Sequence, residues 1–251
     1  MSLIPRILLV CSLLSLSTFS SLQADVFELR IYTVHAGKLD ALNTRFRDHT
    51  VRLFKKHGMK SVGYWVPVDP PHSNNTLIYV LQHQSRESAK TSWAAFIADP
   101  AWKKAYQASR QTGPIVKSVK SEFMKSTDYT PKYSNEKIDK QTVFELRIYR
   151  THPNKLPLLD SRFRDHTIGI FNRFGMKSVA YWHSTDPPAS SNQLTYILKH
   201  PNRASAKSAW QSFIKDAAWK KVAKESQKDG PFLKQRPESI YMKATDYSAI
   251  Q

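Results

Sequence analysis

The sequence predicts an α+β fold written twice: two ferredoxin-like (βαββαβ) repeats that close on each other as an α+β barrel inside one chain. Three observations carry this. VFELRIY at Val26 returns at Val143, 117 residues later, and the same spacing carries RFRDHT from Arg45 to Arg162, GMKSV from Gly58 to Gly175, and Tyr64-Trp65 to Tyr181-Trp182. Two long copies of this kind read as a pair of domains, since solenoid units are roughly 20 to 50 residues. Each copy then passes through the same order of periodicities, strand, helix, strand, strand, helix, strand. Two helices cover only one face of a four-stranded sheet, and the bare face needs the other copy to cover it.

Within the first copy, residues 27–34 alternate Phe27, Leu29 and Ile31 with Glu28, Arg30 and Tyr32, the period of a strand with two unlike faces. Leu39, Leu42, Phe46, Thr50, Leu53 and His57 recur at helical spacing, so a helix is expected over residues 39–57, stopped by Gly58. Residues 59–66 and 76–82 are strand-like, joined by a loop holding Asp69-Pro70-Pro71. Ser85 is a good helix cap, replaced by Asn202 in the other copy, and Asp99-Pro100 reads as a fresh helix start. The last strand is expected near residues 119–124. The copies drift one residue out of step only at the end, where TDY stands at Thr127 and Thr245.

The boundaries follow: a signal peptide at 1–24, a first domain at 25–129, a polar lysine-rich linker at 130–142 and a second domain at 143–251. A basic Arg6, an apolar run too short to span a bilayer, and a polar stretch ending at Ala24 make the first segment an export signal. The protein is therefore expected outside the cytoplasm, periplasmic or extracellular. Cys11, the single cysteine, would leave with the signal, so neither disulfides nor thiolate chemistry is expected of the mature chain.

With 38 basic against 20 acidic residues the formal net charge is +18, which favours anionic surroundings. The lysines are spread over both copies without a nucleic-acid motif, so an anionic cell-envelope surface is expected as partner and nucleic acid is not. No usual metal spacing, phosphate loop, nucleophile elbow or thiol motif occurs, and no cofactor is expected, haem being left open.

Histidines separate on comparing the copies. His57 answers to Phe174, which no metal ligand could tolerate, and is read as packing. His49 remains histidine as His166, on the flank of the helix stripe, and the pair are the candidate acid, base or axial ligand. Arg45 and Asp48, with Arg162 and Asp165, are read as surface ion pairs. Glu28, Arg30 and Tyr32, with Glu145, Arg147 and Tyr149, share one strand face; on a barrel-lining face they must pair with each other or meet a polar ligand. Tyr64, Trp65, Tyr181 and Trp182 add aromatic pocket candidates.

LRIY, GKLDAL, RFRDHT, LFKKHGMKSVGYW and DPAW together resemble the NIPSNAP family, within the dimeric α+β barrel superfamily, once per copy over nearly the whole mature chain; exported bacterial members with two such domains are the most similar in kind. The resemblance implies that fold and, through the superfamily, cofactor-independent monooxygenase or haem-handling chemistry. Many members carry a His-Leu-Trp-Arg-like segment on the third strand; here it reads Tyr79-Val80-Leu81-Gln82 and Tyr196-Ile197-Leu198-Lys199, so chemistry through that motif is not implied. Two functions follow as expectations: binding of a small, largely apolar molecule between sheet and helices, with cofactor-independent oxidation as its chemistry, or a non-catalytic scaffold for an anionic envelope component. Assembly beyond the internal pseudo-dimer is left open.

Overall fold

The computed structural model describes residues 25–132 and 138–250. The expected export signal and the middle of the expected linker lie outside the described residues.

In the first repeat, β1 (Val26–Val34) leads into α1 (Leu39–Arg45), a π-helical turn at Phe46–Thr50 and α2 (Val51–Lys56), followed by β2 (Lys60–Pro67), β3 (Thr76–His83), α3 (Arg86–Ala98), α4 (Pro100–Ala108) and β4 (Val116–Ser126). The second gives β5 (Val143–Arg150), α5 (Leu156–Arg162), the same π turn at Phe163–Thr167, α6 (Ile168–Arg173), β6 (Lys177–Ser184), β7 (Gln193–His200), α7 (Arg203–Lys215), α8 (Ala217–Ser226) and β8 (Glu238–Ala244). Ser85 and Asn202 cap α3 and α7 by accepting from the backbone N–H three residues on, and Asp99 and Asp216 cap α4 and α8. β4 begins earlier than expected because Val116 to Val119 still pair with the end of β1 across a bulge.

The strands close in the order β1-β3-β2-β8-β5-β7-β6-β4, and β4 returns to β1, so the barrel leaves no free edge. Each repeat's last strand joins the other repeat's sheet: β8 pairs with β2, Trp65 opposite Ala244, and β4 pairs with β6, Ser126 opposite Trp182. The expected helix over 39–57 is thus one helix with a wide turn in it, and that turn rotates every later side chain relative to a uniform 100° wheel.

Alternation along β1 places its two faces opposite to the expectation. Phe27, Leu29 and Ile31 point into the barrel with Val80, Phe144, Leu146 and Ile197. Glu28, Arg30 and Tyr32, and Glu145, Arg147 and Tyr149, instead lie beneath the helices, where Tyr32 and Tyr149 pack in the sheet–helix cores. The barrel interior around these residues is apolar, with a polar cluster in which Gln193 and Ser184 donate to Glu122, whereas the helix side supplies four donors to each buried glutamate. On β2 and β6 the same alternation sends Tyr64 and Tyr181 to the helices and Trp65 and Trp182 into the barrel. There the repeats interlock: Trp182 meets Phe27 and Trp65 meets Phe144, each at a centroid separation of 5.8 Å.

Candidate functional site

Beneath the helices each repeat holds a buried carboxylate with four donors. Glu28 Oε1 accepts from Arg30 Nη1 (2.6 Å) and Ser121 Oγ (2.6 Å), while Oε2 accepts from Trp93 Nε1 (2.8 Å) and His83 Nε2 (3.1 Å). Strand register builds the cluster, since Glu28 faces Leu81 on β3 and Phe123 on β4, with His83 and Ser121 as diagonal neighbours on the same face. The second repeat duplicates it, Glu145 accepting from Arg147 (2.6 Å), Ser239 (2.7 Å), Trp210 (2.7 Å) and His200 (3.1 Å). Burial by itself would raise these carboxyl pKa values; hydrogen bonds from the histidines, the arginine charges and the remaining donors outweigh it and hold both at about 2. The arginines also lie over Trp93 and Trp210, each 4.3 Å from the ring centroid. With His83, Glu28, His200 and Glu145 buried to 1% or less of side-chain exposure, no substrate reaches these pairs.

A chamber of about 190 Å³ lies beside this cluster in the first repeat, between sheet and helices. Phe46, Phe54, Phe96 and Trp102 give it aromatic walls, Val119 and Tyr106, 40% and 38% exposed, form its rim, and Tyr32, Arg45, Thr50 and the Tyr106 hydroxyl are its polar groups. Arg45 is 3% exposed. Its guanidinium lies against Trp102 and Tyr106, 5.3 and 5.6 Å from their centroids, and Nη1 donates to Ser109 Oγ at 3.2 Å. Nε is buried without a partner, and among the described residues no carboxylate lies within 4 Å of the group. Desolvation pushes its pKa down. The expected surface pair with Asp48 is therefore absent: Arg45 follows Leu39 and Leu42 along the buried side of α1, the π turn after it leaves Asp48 in solvent, and Arg162 and Asp165 repeat this.

His49 and His166 do not meet in any site. Both are exposed, on the outer side of the π turns, and this corrects their place on the helix flank. His166 borders an open surface cleft of about 280 Å³, with Arg162, Asp165, Glu225 and Phe232. Tyr64 and Tyr181 are buried with their hydroxyls on Ser61 and Ser178 at 2.7 and 2.6 Å. Trp65 fills the barrel, while Trp182 borders a cavity of about 430 Å³ at the barrel end with Phe27, Val62 and Ala180. Tyr149 packs on Phe163 and Tyr196. His57, read as packing, touches Phe96 and places Nε2 2.8 Å from Asp99 Oδ2. The residues that sequence reasoning missed are His83, His200 and Arg45. The histidines recur at the same 117-residue spacing as the rest of the repeat, which was the signal that could have found them. No group of three metal-ligating side chains occurs among the described residues.

An eight-stranded antiparallel barrel built from two ferredoxin-like halves, with helices outside, defines the class as an α+β barrel with an internal two-fold. Two structures share it over nearly their full length: a proposed monooxygenase from Lactobacillus acidophilus (13% identity, 91% of this chain and 97% of that one, TM-score 0.56) and an anthrone oxidase-like protein (11% identity, 88% and 91%, TM-score 0.59). At those identities the likeness is one of fold. The NIPSNAP family model matches twice, at residues 27–131 and 144–249, and the chain belongs to the NIPSNAP family. A NipSnap homologue of Dictyostelium discoideum is 24% identical over 144 residues; the match spans 57% of this chain and 56% of that protein.

Proposed function

We propose that the first repeat binds a small, largely apolar molecule in the chamber between its sheet and helices. The observation that carries this is the chamber itself: about 190 Å³ walled by aromatic rings in a core otherwise filled by side chains. A dry cavity of about 150 Å³ is enough for one benzene ring, so the ligand is of single-ring size or has a short chain. The two structural neighbours bear the names of a monooxygenase and of an anthrone oxidase-like protein, which favours oxidation as the chemistry of such a site. Tyr32, Arg45 and Tyr106 are the polar groups that would orient a ligand here, in place of His49 and His166.

Native mass spectrometry of the chain secreted by an exporting host tests the reading, together with quenching of tryptophan fluorescence by toluene. An added mass, or saturable quenching lost in Trp102→Phe, is the expected result. A bare chain that no single-ring probe perturbs would overturn it.

A second reading rests on the formal charge of +18 and on a groove of about 380 Å³ where Arg147, Lys207 and Arg236 converge on Trp210 and Tyr241. Under it the chain is an exported scaffold that meets an anionic envelope component. Such binding weakens steeply with salt, because exposed charges are screened within about 10 Å at 0.1 M. Retention on anionic vesicles that ignores salt would dismiss it.

A further inference from the structure

We propose that the ligand of the first-repeat chamber is a small carboxylate with an apolar body, its two oxygens held by the Arg45 guanidinium; this rests on the chamber being a ligand site. The second repeat serves as the internal control. His35 N–H donates to the Ile115 carbonyl and His152 N–H to the Phe232 carbonyl, both at 2.9 Å, so Ile115 and Phe232 hold equivalent places. Phe232 puts its ring 4.8 Å from Arg162 and is 1% exposed. What remains beside Arg162 is the open cleft, and Asp165 and Glu225 line it.

In the first repeat both features are reversed. Ile115 is smaller than Phe232 and brings no ring against Arg45, and Tyr106 supplies the second aromatic face from α4, where Ala223 stands in the other copy. The position answering to Glu225 is Ala108, and no carboxylate lines the chamber. Arg45 and Arg162 alike are buried cations with one neutral hydrogen bond, to Ser109 and to Ser226, and an unpartnered Nε, but only Arg45 stands at the wall of an apolar space with no carboxylate lining it. A buried charge left unpaired is costly, and a guanidinium presents a planar fork that matches a carboxylate. The aromatic walls take the apolar body. A neutral ligand of the same size would fill the space and leave the cation as it is.

Binding of benzoate and of toluene to the full chain, followed by calorimetry and by tryptophan fluorescence, tests this. Benzoate is expected to bind at least about tenfold more tightly than toluene, the scale of one charge-assisted contact. Arg45→Met should remove that advantage, so that benzoate binds no more tightly than toluene. Arg162→Met should leave benzoate binding unchanged. Ile115→Phe, which copies the second repeat, should abolish both. Toluene binding with no preference for benzoate would overturn the carboxylate assignment while the chamber stood; binding of neither would overturn the chamber. The comparison on the unaltered chain decides the matter even if Arg45→Met does not fold.

Discussion

Arg47 of the first repeat holds Asp246 of the second through two parallel hydrogen bonds, Nε to Oδ2 at 2.6 Å and Nη2 to Oδ1 at 2.8 Å. Arg164 holds Asp128 in the same way, at 2.8 and 2.7 Å. The repeated TDY segments are therefore exchanged: each follows its own repeat's last strand and docks on the other repeat's helix. Tyr247 donates to Asn43 and packs 5.4 Å from Tyr64, while Tyr129 donates to Asp160 and packs 5.3 Å from Tyr181. The Asp-Pro-Pro loops cross over too, Asp69 to Arg203 and Asp186 to Arg86, both at 3.1 Å.

The exchanged ion pairs are exposed and the exchanged tyrosines are not, which ranks their contributions. Arg47 and Asp246 stand 43% and 62% in solvent, so the coupling energy of Arg47→Ala with Asp246→Ala should be about 1 kcal/mol or less. Tyr247→Ala removes a ring packed against Phe46 and Tyr64 and should cost about 3 kcal/mol. Urea unfolding of the four variants measures both. A larger loss from Arg47→Ala than from Tyr247→Ala would show that charge, not packing, fastens the two repeats.

His49 and His166 lie in solvent, and neither makes a hydrogen bond or ion pair among the described residues. Replacing both by alanine should change stability by less than about 0.5 kcal/mol, as for surface sites in general, and should leave ligand binding intact. A double variant that lost toluene or benzoate binding would return these histidines to the site.

The Glu28 and Glu145 clusters give stability a defined pH window. Both carboxyls titrate at about 2 in the fold against 4.5 for the free group. A depressed carboxyl pKa stabilises the fold above the unfolded value, and that contribution is lost as pH falls from about 4.5 toward 2. Each shift corresponds to roughly 3 kcal/mol. Melting temperature should be level near neutrality and fall steeply below about pH 4.5. Glu28→Gln should be less stable at pH 7, and its deficit should shrink in acid. A deficit independent of pH would mean that the donors recognise the shape of the group and not its charge. His83→Ala removes a buried donor to Glu28 and should itself cost about 2 kcal/mol.

Much of this fold could be read from the repeat. Spacing alone gave two copies, alternation gave the strands, and Ser85, Asn202 and Asp99 marked helix starts that the structure retains. What alternation cannot give is which face of a strand goes inward. Glu28, Arg30 and Tyr32 share one face as alternation requires, and that face packs beneath the helices and not into the barrel, because the deciding partners, Trp93 and Ser121, are 65 and 93 residues away. Asp48 and His49 failed for a different reason. A wheel at a constant angle has no place for the π turn at Phe46–Thr50, and nothing in RFRDHT taken alone announces a wide turn.

The same internal comparison gives the barrel an asymmetry that can be measured. An added Cβ at Gly63 would stand 2.5 Å from Cη2 and Cζ2 of Trp65, whose indole lies back across its own strand within the closed barrel. Ala180 occupies the matching place before Trp182, so Trp182 cannot lie the same way, and it borders the barrel-end cavity instead. Gly63→Ala must displace a fully buried ring packed on Phe144 and should cost about 1 to 3 kcal/mol, the range for overpacking. Ala180→Gly relieves no contact and should cost about 1 kcal/mol or less through backbone freedom. Thermal unfolding of the two variants tests this directly. Equal losses would mean that Trp65 rotates out of the way freely and that the two halves of the barrel interior are interchangeable.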